Sequence, residues 1–424
     1  MTLSQSIREQ RLRSHLADSR EALDDLGSAL TLVHPDRARD TAQRCLETAR
    51  QALDDARELV WTDRVAPAAP AATPRRDGAG EEDDDMQRRT FLASIAALTA
   101  APRYSADRLL ELSDHARRPG SLSAGQVAAM RELTGVYAQT LTTAHPTALA
   151  RLVGSHLNLV TGYLDEAMTP ALRLALGSAA AEVAALSGWV ASTAQRKGDA
   201  RAAHVLARDL AADDTQRALA FGSLAMLHAA NRQGGTGSPA ALRALAQANA
   251  LLPDHAPATA RAWLAGKYAE QQAAIGLDDD YRRTIARMDA VMAEDRPVDV
   301  EVVSASYSEG AALTFWGLGG VGPDQVRGNG GALTGDPLAV EHLRAAVANA
   351  SEPLGEATLL IDLGQAHLRF GDLDAACWAV GEALPIAAQH GFTQRVGWVR
   401  AVRAQMRDDV HPAVRELDDR LAAV

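Results

Sequence analysis

Aromatic residues make up only 4 % of these 424 residues, although 47 % of the chain is hydrophobic. Runs of β-branched residues are almost absent, and sheets are built from β-branched and aromatic side chains. The apolar surface, mostly alanine and leucine, must therefore be buried by closely packed helices, and the expected fold class is all-α. Cysteine is also scarce. Cys45 and Cys377 fall in separate segments with no CxxC or Cys/His spacing, which indicates neither a disulfide framework nor a zinc site, so both are expected to be small core residues. Lysine occurs only at Lys197 and Lys267, the other basic residues being arginine; this suggests a GC-rich genome and carries no information about function. The net charge of −11, with a pI near 5.6, has the wrong sign for a protein that neutralises phosphates over a broad face. No run approaches the ~20 apolar residues of a membrane helix. The longest, Phe91 to Ala101, is about half that length, so a chain that does not span a membrane and resides in the cytoplasm is expected.

Catalytic signatures are missing too. The twelve histidines include no HExxH or His-x-His pair, there is no GxSxG, and neither cysteine has a histidine beside it. No catalytic residue, metal or cofactor is expected, while an enzyme site assembled from distant residues stays open. The stretch GLGGVGPDQVRGNGGALTGDP, residues 317 to 337, is glycine-rich enough to cradle a phosphate. No strand precedes it and no Gly-Lys-Ser/Thr follows, so it reads as a loop between two repeats, able to act as a lid. Asp278-Asp279-Asp280 opens a helix, where carboxylates are stabilised by the helix dipole. The tryptophans (Trp61, Trp189, Trp263, Trp316, Trp378, Trp398) fall mostly on apolar helix faces and are expected in the core.

Three segments divide the chain. In residues 1 to 61, Leu12, Leu16, Ser19, Leu23, Leu26, Leu30 and Val33 alternate four and three residues apart, as do Ala38, Ala42, Cys45, Ala49, Ala52, Ala56 and Leu59. Val33-His34-Pro35-Asp36 separates them. The pattern predicts an antiparallel helical hairpin, too small to be stable alone and therefore expected to dimerise or to dock elsewhere. Residues 62 to 87, with their Pro, Gly, Ala and acidic run, read as a flexible linker. From residue 88 to residue 424, helical patterns follow one another with turn signals between them.

The segment 355 to 387, GEATLLIDLGQAHLRFGDLDAACWAVGEALPIA, carries Leu363-Gly364 before His367, Gly371-Asp372 at a turn, then Ala376, Val380 and Ala383. It resembles a tetratricopeptide repeat, in which small residues at fixed places let two antiparallel helices approach closely. A weaker copy spans 185 to 212, with Gly198-Asp199 at the turn and Ala203 at the crossing. Further copies are placed at about 219 to 252, 260 to 294 and 301 to 350, which makes a helical-hairpin solenoid. The final segment 391 to 424, ending HPAVRELDDRLAAV, resembles the closing helices of actinobacterial tetratricopeptide-type regulators, and ARAWLAGKYAEQQAAIG, 260 to 276, resembles their central repeats. Members of that group commonly carry an Xre-type helix-turn-helix, a linker and an RRxFL segment that starts the repeats. Residues 1 to 61 lack that helix-turn-helix pattern and hold nine arginines against eleven acidic residues. The layout is closer to the Rap-like regulators, in which a helical bundle precedes a repeat array and engages a partner protein.

QRRTFLASIAALTAAP, residues 87 to 102, has the layout of a twin-arginine export leader. Translation would then start at Met86. In the structural reading, Phe91, Leu92, Ile95 and Leu98 recur at helical spacing and form the first buried helix of the array, at the junction that RRxFL occupies in the resembling regulators. The resemblance implies a regulator that binds a peptide or protein along a concave wall and controls transcription, differentiation or secondary metabolism. A direct DNA-binding repressor and a helical biosynthetic enzyme or accessory protein remain open alternatives. Taking the turn glycines as fixed points, the wall is expected to present Asn158, Gln195, His228, Asn231, Glu270, Ser304, Tyr307 and Gln365, whose amides and other polar groups can meet the backbone of an extended peptide.

Overall fold

A computed structural model describes residues 122–165, 168–229, 237–294, 322–350, 352–407 and 410–424. The N-terminal hairpin, the linker and the Arg88-Arg89 segment lie outside the described residues, as do Asn231, Ser304, Tyr307 and the side chain of His228. Among the described residues there are fourteen α-helices, one short 3-10 helix (Tyr163–Asp165) and no strand. The all-α expectation holds there.

The helices are α1 (Ala124–Thr140), α2 (Pro146–Gly162), α3 (Pro170–Thr193), α4 (Lys197–Leu210), α5 (Asp214–Ala229), α6 (Pro239–Leu251) and α7 (Ala258–Ala274). They continue as α8 (Asp278–Glu294), α9 (Pro323–Thr334), α10 (Ala339–Ala348), α11 (Pro353–Arg369), α12 (Leu373–Gln389), α13 (Thr393–Arg403) and α14 (Pro412–Ala422). Their ends follow from local chemistry. Proline opens α2, α3, α6, α9, α11 and α14 at or near the first position, where its missing N–H has no partner to lose. Ser123 and Gln126 form a reciprocal capping box at the start of α1, and Gly276, Gly335, Gly371 and Gly391 leave their helices through the left-handed region.

Helices pack in consecutive pairs, α3 with α4, α5 with α6, α7 with α8, α9 with α10 and α11 with α12, and all of these but α5–α6 are joined by a turn of three or four residues. The second helix of each pair also packs against the first of the next. The segment read from its small residues shows how closely the pairs fit. Ala376, Val380 and Ala383 are fully buried. A Cβ on Gly364 would stand 2.5 Å from Val380 Cγ1 and 3.1 Å from the Ala376 carbonyl oxygen. Asp372 caps α12 by accepting from the Ala375 N–H at 3.1 Å. In the α3–α4 pair, Gly188 seats the His204 ring. There the turn lies three residues before Gly198: Gln195, with φ 59°, takes the left-handed position, while Gly198 is buried inside α4.

The odd-numbered helices make a second set of contacts. α3, α5, α7, α9, α11 and α13 each touch the next in that order, and α13 returns to touch α3. The row closes on itself. At the seam, Gln195 Nε2 donates to the Thr393 carbonyl oxygen (2.9 Å) and Gln394 Nε2 to Ser192 Oγ (3.1 Å). The α1–α2 connection joins in, with the Leu354 N–H donating to the Thr142 carbonyl oxygen (3.2 Å) and His390 Nδ1 lying 2.8 Å from the Thr143 carbonyl oxygen. One apolar core runs beneath these bonds from Val127, Leu133 and Val183 to Leu360, Val399 and Leu417.

Two expectations change. Residues 323 to 334 of the glycine-rich stretch form helix α9 and are not a loop. The glycines there allow contact rather than flexibility, because a Cβ on Gly328 would collide with Leu343 and one on Gly330 with the Tyr281 ring. Trp263 is buried as expected, but Trp378 is 57 % exposed on α12. No uninterrupted apolar run marks α3, yet the helix is long and apolar enough to cross a membrane. Sixty-seven per cent of its most apolar window is buried, and α1, α2, α4 and α5 cover it.

Candidate functional site

The first helix of each pair carries polar side chains into its neighbours. On α7, Lys267 and Glu270 are 2 % and 4 % exposed, and Lys267 Nζ donates to both carboxylate oxygens, at 3.1 and 2.9 Å. On α9, Asn329 Nδ2 donates to Glu270 Oε1 (3.4 Å) and to Asp362 Oδ2 of α11 (2.9 Å). Gln325 Nε2, one helical turn earlier, donates to the same Asp362 oxygen at 2.6 Å. Three neighbouring helices of the row, α7, α9 and α11, are thus joined by one partly buried hydrogen-bonded chain. Burying an ion pair and a second carboxylate is expensive unless donors serve them, and here an ammonium and two amides serve both oxygens of Glu270 and Oδ2 of Asp362.

This chain forms one wall of an open pocket at the meeting of α5, α7, α9 and α11, of about 560 Å³ when the solvent space at its mouth is included. Its polar lining is Glu270, Gln271, Asn329, Asp362, Gln365 and Arg369. Its apolar lining is Ala229, Ala274, Ala332, Leu333 and Ala366. Alanines leave the space, because the close helix approach that they allow brings no long side chain to fill it. Gln325 presents a further mismatch: its Oε1 is buried and has no hydrogen-bond partner among the described residues.

The structure brings together two of the residues read from the sequence, Glu270 and Gln365. Asn158 is exposed on α2, outside the closed row. Gln195 sits at the seam, bonded to Thr393. The other four members of the hydrogen-bonded chain, Asn329, Asp362, Lys267 and Gln325, differ in what the sequence shows of them. Asn329 lay in the stretch read as a loop. Asp362 is a lone acidic residue in the apolar run TLLIDLG, a signal that does stand out on inspection. Lys267 is one of only two lysines among many arginines, and Gln325 carries no sequence signal.

A second hollow, a shallow one of about 490 Å³ when the solvent space at its mouth is included, lies between α3, α4 and α5. Its distinctive group is Glu182, held on the far side by Arg131 of α1 through Nε–Oε2 (3.1 Å) and NH2–Oε1 (2.6 Å) contacts, and by Gln216 Nε2 on Oε1 (3.3 Å). Burial pushes its carboxyl up to about 7 despite the opposing pull of Arg131 and Gln216. Among the described residues no group of three or more His, Cys, Asp or Glu side chains is placed to hold a metal ion. Asp278, Asp279 and Asp280 occupy the first turn of α8, where Asp279 pairs with Arg282 at 3.0 Å and Asp280 with Arg283.

No protein-family model matches this chain, and no curated protein matches its sequence.

Proposed function

We propose that the paired helices are a tetratricopeptide-like array, and that the chain is a cytoplasmic regulatory protein whose α5–α7–α9–α11 pocket binds a peptide or an extended segment of a partner protein. The observation that carries this reading is the pocket wall itself. Amide and carboxylate side chains from three neighbouring helices of the row converge on a space floored by alanine. An extended peptide needs alternating donors and acceptors for its backbone and room for small side chains. Gln365 and Asn329 supply both kinds of group, Asp362 and Glu270 supply acceptors, and Arg369 supplies donors. The close fit of Gly364 against Val380, with the left-handed Gly371 and the Asp372 cap, supports the tetratricopeptide-like reading of the pairs. Control of gene expression as the output rests on the resemblance of the closing and central helices to the actinobacterial regulators.

The test is recovery of peptides bound to the immobilised intact chain from the native host, resynthesis, and titration against wild type, Gln365→Ala and Arg369→Ala. Both substitutions lie on the accessible part of the wall, so the helical circular dichroism should be unchanged. Affinity should fall about tenfold or more where a backbone bond is lost. Peptides that bind both variants as tightly as wild type would remove the pocket from the function.

A further inference from the structure

The last turns of α7, α9 and α11 meet at one end of the row, where Ala274, Leu333 and Arg369 line the same pocket. Each turn that leaves these helices shows a large apolar side chain to solvent: Leu277, Leu338 and Phe370 are 39 %, 53 % and 44 % exposed. Turn positions ordinarily go to glycine, proline and small polar residues. The opposite end of the row differs, since Phe392, between α12 and α13, is fully buried and Leu252, between α6 and α7, is half-buried. Leu174 and Val424 are exposed toward that end, but neither lies between two helices. Each of the three apolar turn residues also has an aspartate within two positions: Asp278 after Leu277, Asp336 before Leu338 and Asp372 after Phe370. Asp336 accepts the Leu338 N–H (3.0 Å) and Asp372 the Ala375 N–H (3.1 Å). A backbone donor serves the oxygen without cancelling its charge. His367 Nδ1 lies 3.4 Å from Asp372, but burial lowers its titration and leaves it mostly neutral near pH 7. The next two aspartates, Asp279 and Asp280, are balanced by Arg282 and Arg283, and Arg369 sets one positive charge against the remaining three. Capping explains an aspartate at a helix start; it does not explain a bare leucine or phenylalanine beside it.

We propose that this rim is an interaction surface for a basic amphipathic segment of a partner protein, in which leucine- or phenylalanine-like side chains are interleaved with lysine or arginine. It borders the pocket but does not depend on what the pocket binds. A single exposed apolar residue is ordinary, whereas three on neighbouring turns, edged by charges of one sign, mark a contact surface. Burial of the apolar residues supplies affinity, and the aspartates select the sign of the partner. An acidic segment is repelled. A purely apolar one covers the aspartates without giving them a counter-charge, at a desolvation cost. A second copy, docked by the same patch, sets the same aspartates against each other, and an anionic lipid surface is repelled in the same way. A segment carrying both apolar and cationic groups meets every feature of the rim.

The experiment pans the immobilised full chain against a phage library of random dodecapeptides, then synthesises the enriched sequences and titrates them by fluorescence anisotropy. The enriched peptides should combine Lys or Arg with Leu, Ile or Phe, and raising the salt from about 0.05 M to about 0.5 M should weaken them about tenfold. Leu338→Ser with Phe370→Ser should weaken them about tenfold or more, with circular dichroism unchanged because both side chains are exposed. Asp278→Lys, which keeps the apolar residues and reverses one charge, should weaken them about fivefold. Gln365→Ala, inside the pocket, should leave them unchanged. The proposal is overturned if nothing is enriched, if the enriched peptides are acidic or uncharged, or if the rim variants bind them as tightly as wild type. Peptides that respond to Gln365→Ala alone would also overturn it, while leaving the reading of the pocket in place. A wild-type dimer in sedimentation that the double variant lacks would assign the rim to a second copy instead.

Discussion

Gln195 Nε2 donates to the carbonyl oxygen of Thr393 at 2.9 Å, a bond across 198 residues made by a side chain whose own backbone is left-handed, at φ 59°. A non-glycine residue there costs about 1 kcal/mol, and the bond to Thr393 returns about 0.5–1.5 kcal/mol. The side chain lies in the space left by Gly397. Gln195→Ala loses the bond and keeps the strain, so urea denaturation should show a loss of about 1 kcal/mol. Gln195→Gly loses the bond and also relieves the strain, and should stay within about 0.5 kcal/mol of wild type. Equal destabilisation by both would show that the strain does not matter at this seam.

The fit of α11 against α12 yields a reciprocal prediction. A Cβ on Gly364 would stand 2.5 Å from Val380 Cγ1, and both residues are buried. Gly364→Ala should therefore cost about 1–3 kcal/mol by overpacking. Adding Val380→Ala removes the colliding methyl groups, so the double variant should be more stable than the sum of the single losses by about 0.5–3 kcal/mol. A double-mutant cycle from chemical denaturation reads that term directly.

The same pair of residues shows what was legible beforehand. Gly364, Gly371, Ala376, Val380 and Ala383 are spaced by local geometry, where two helices and their turn lie within one stretch of chain. The sequence pattern therefore carried the pairing. The closure of α13 onto α3 joins residues about 200 apart through two side-chain amides, a hydroxyl and one carbonyl, none of which leaves a periodic trace. Gly328 and Gly330 were misread for a related reason. A glycine that permits flexibility and one that permits contact look alike until Leu343 and Tyr281 are seen against them. At the pocket, Glu270 and Gln365 could be found by counting from turns, but Asn329 and Gln325 could not, since their role depends on which helix packs beside α9.

Lys267 and Glu270 form an ion pair whose side chains are 3 % and 5 % exposed. Removing one partner leaves a buried charge. Lys267→Met should cost about 3–5 kcal/mol, whereas the double variant Lys267→Met/Glu270→Leu should recover most of that loss, because an apolar pair of similar volume avoids the desolvation penalty. Thermal melting of the three variants with wild type checks this. A double variant no better than Lys267→Met would show that the bond from Asn329 to Glu270 is what the fold requires.

Three buried groups set the acid response. Burial lowers His204 to about 3 and His156 to about 4, the latter against the opposing effect of the Met130 carbonyl. Both are depressed below the ordinary value of about 6.5, so their stabilising contribution is present above that pH and is lost as pH falls toward the folded values. Glu182 has the opposite sign: raised to about 7 by burial, it stabilises most below about 4.5 and loses that contribution as pH rises through 7. Between about pH 5 and 6 the unfolded chain holds nearly two more protons at the histidines and the native chain nearly one more at Glu182, a net difference of about one. Stability should therefore rise with pH by about 1.4 kcal/mol per unit in that window. His367, lowered by burial although Asp372 opposes it, adds to the same slope. His204→Phe, which keeps a ring against Gly188 and Trp189, should flatten the slope, and Glu182→Gln should steepen it. Urea denaturation across this pH range decides between them: a wild-type slope of opposite sign would mean that Glu182, and not the histidine pair, governs how the fold meets acid.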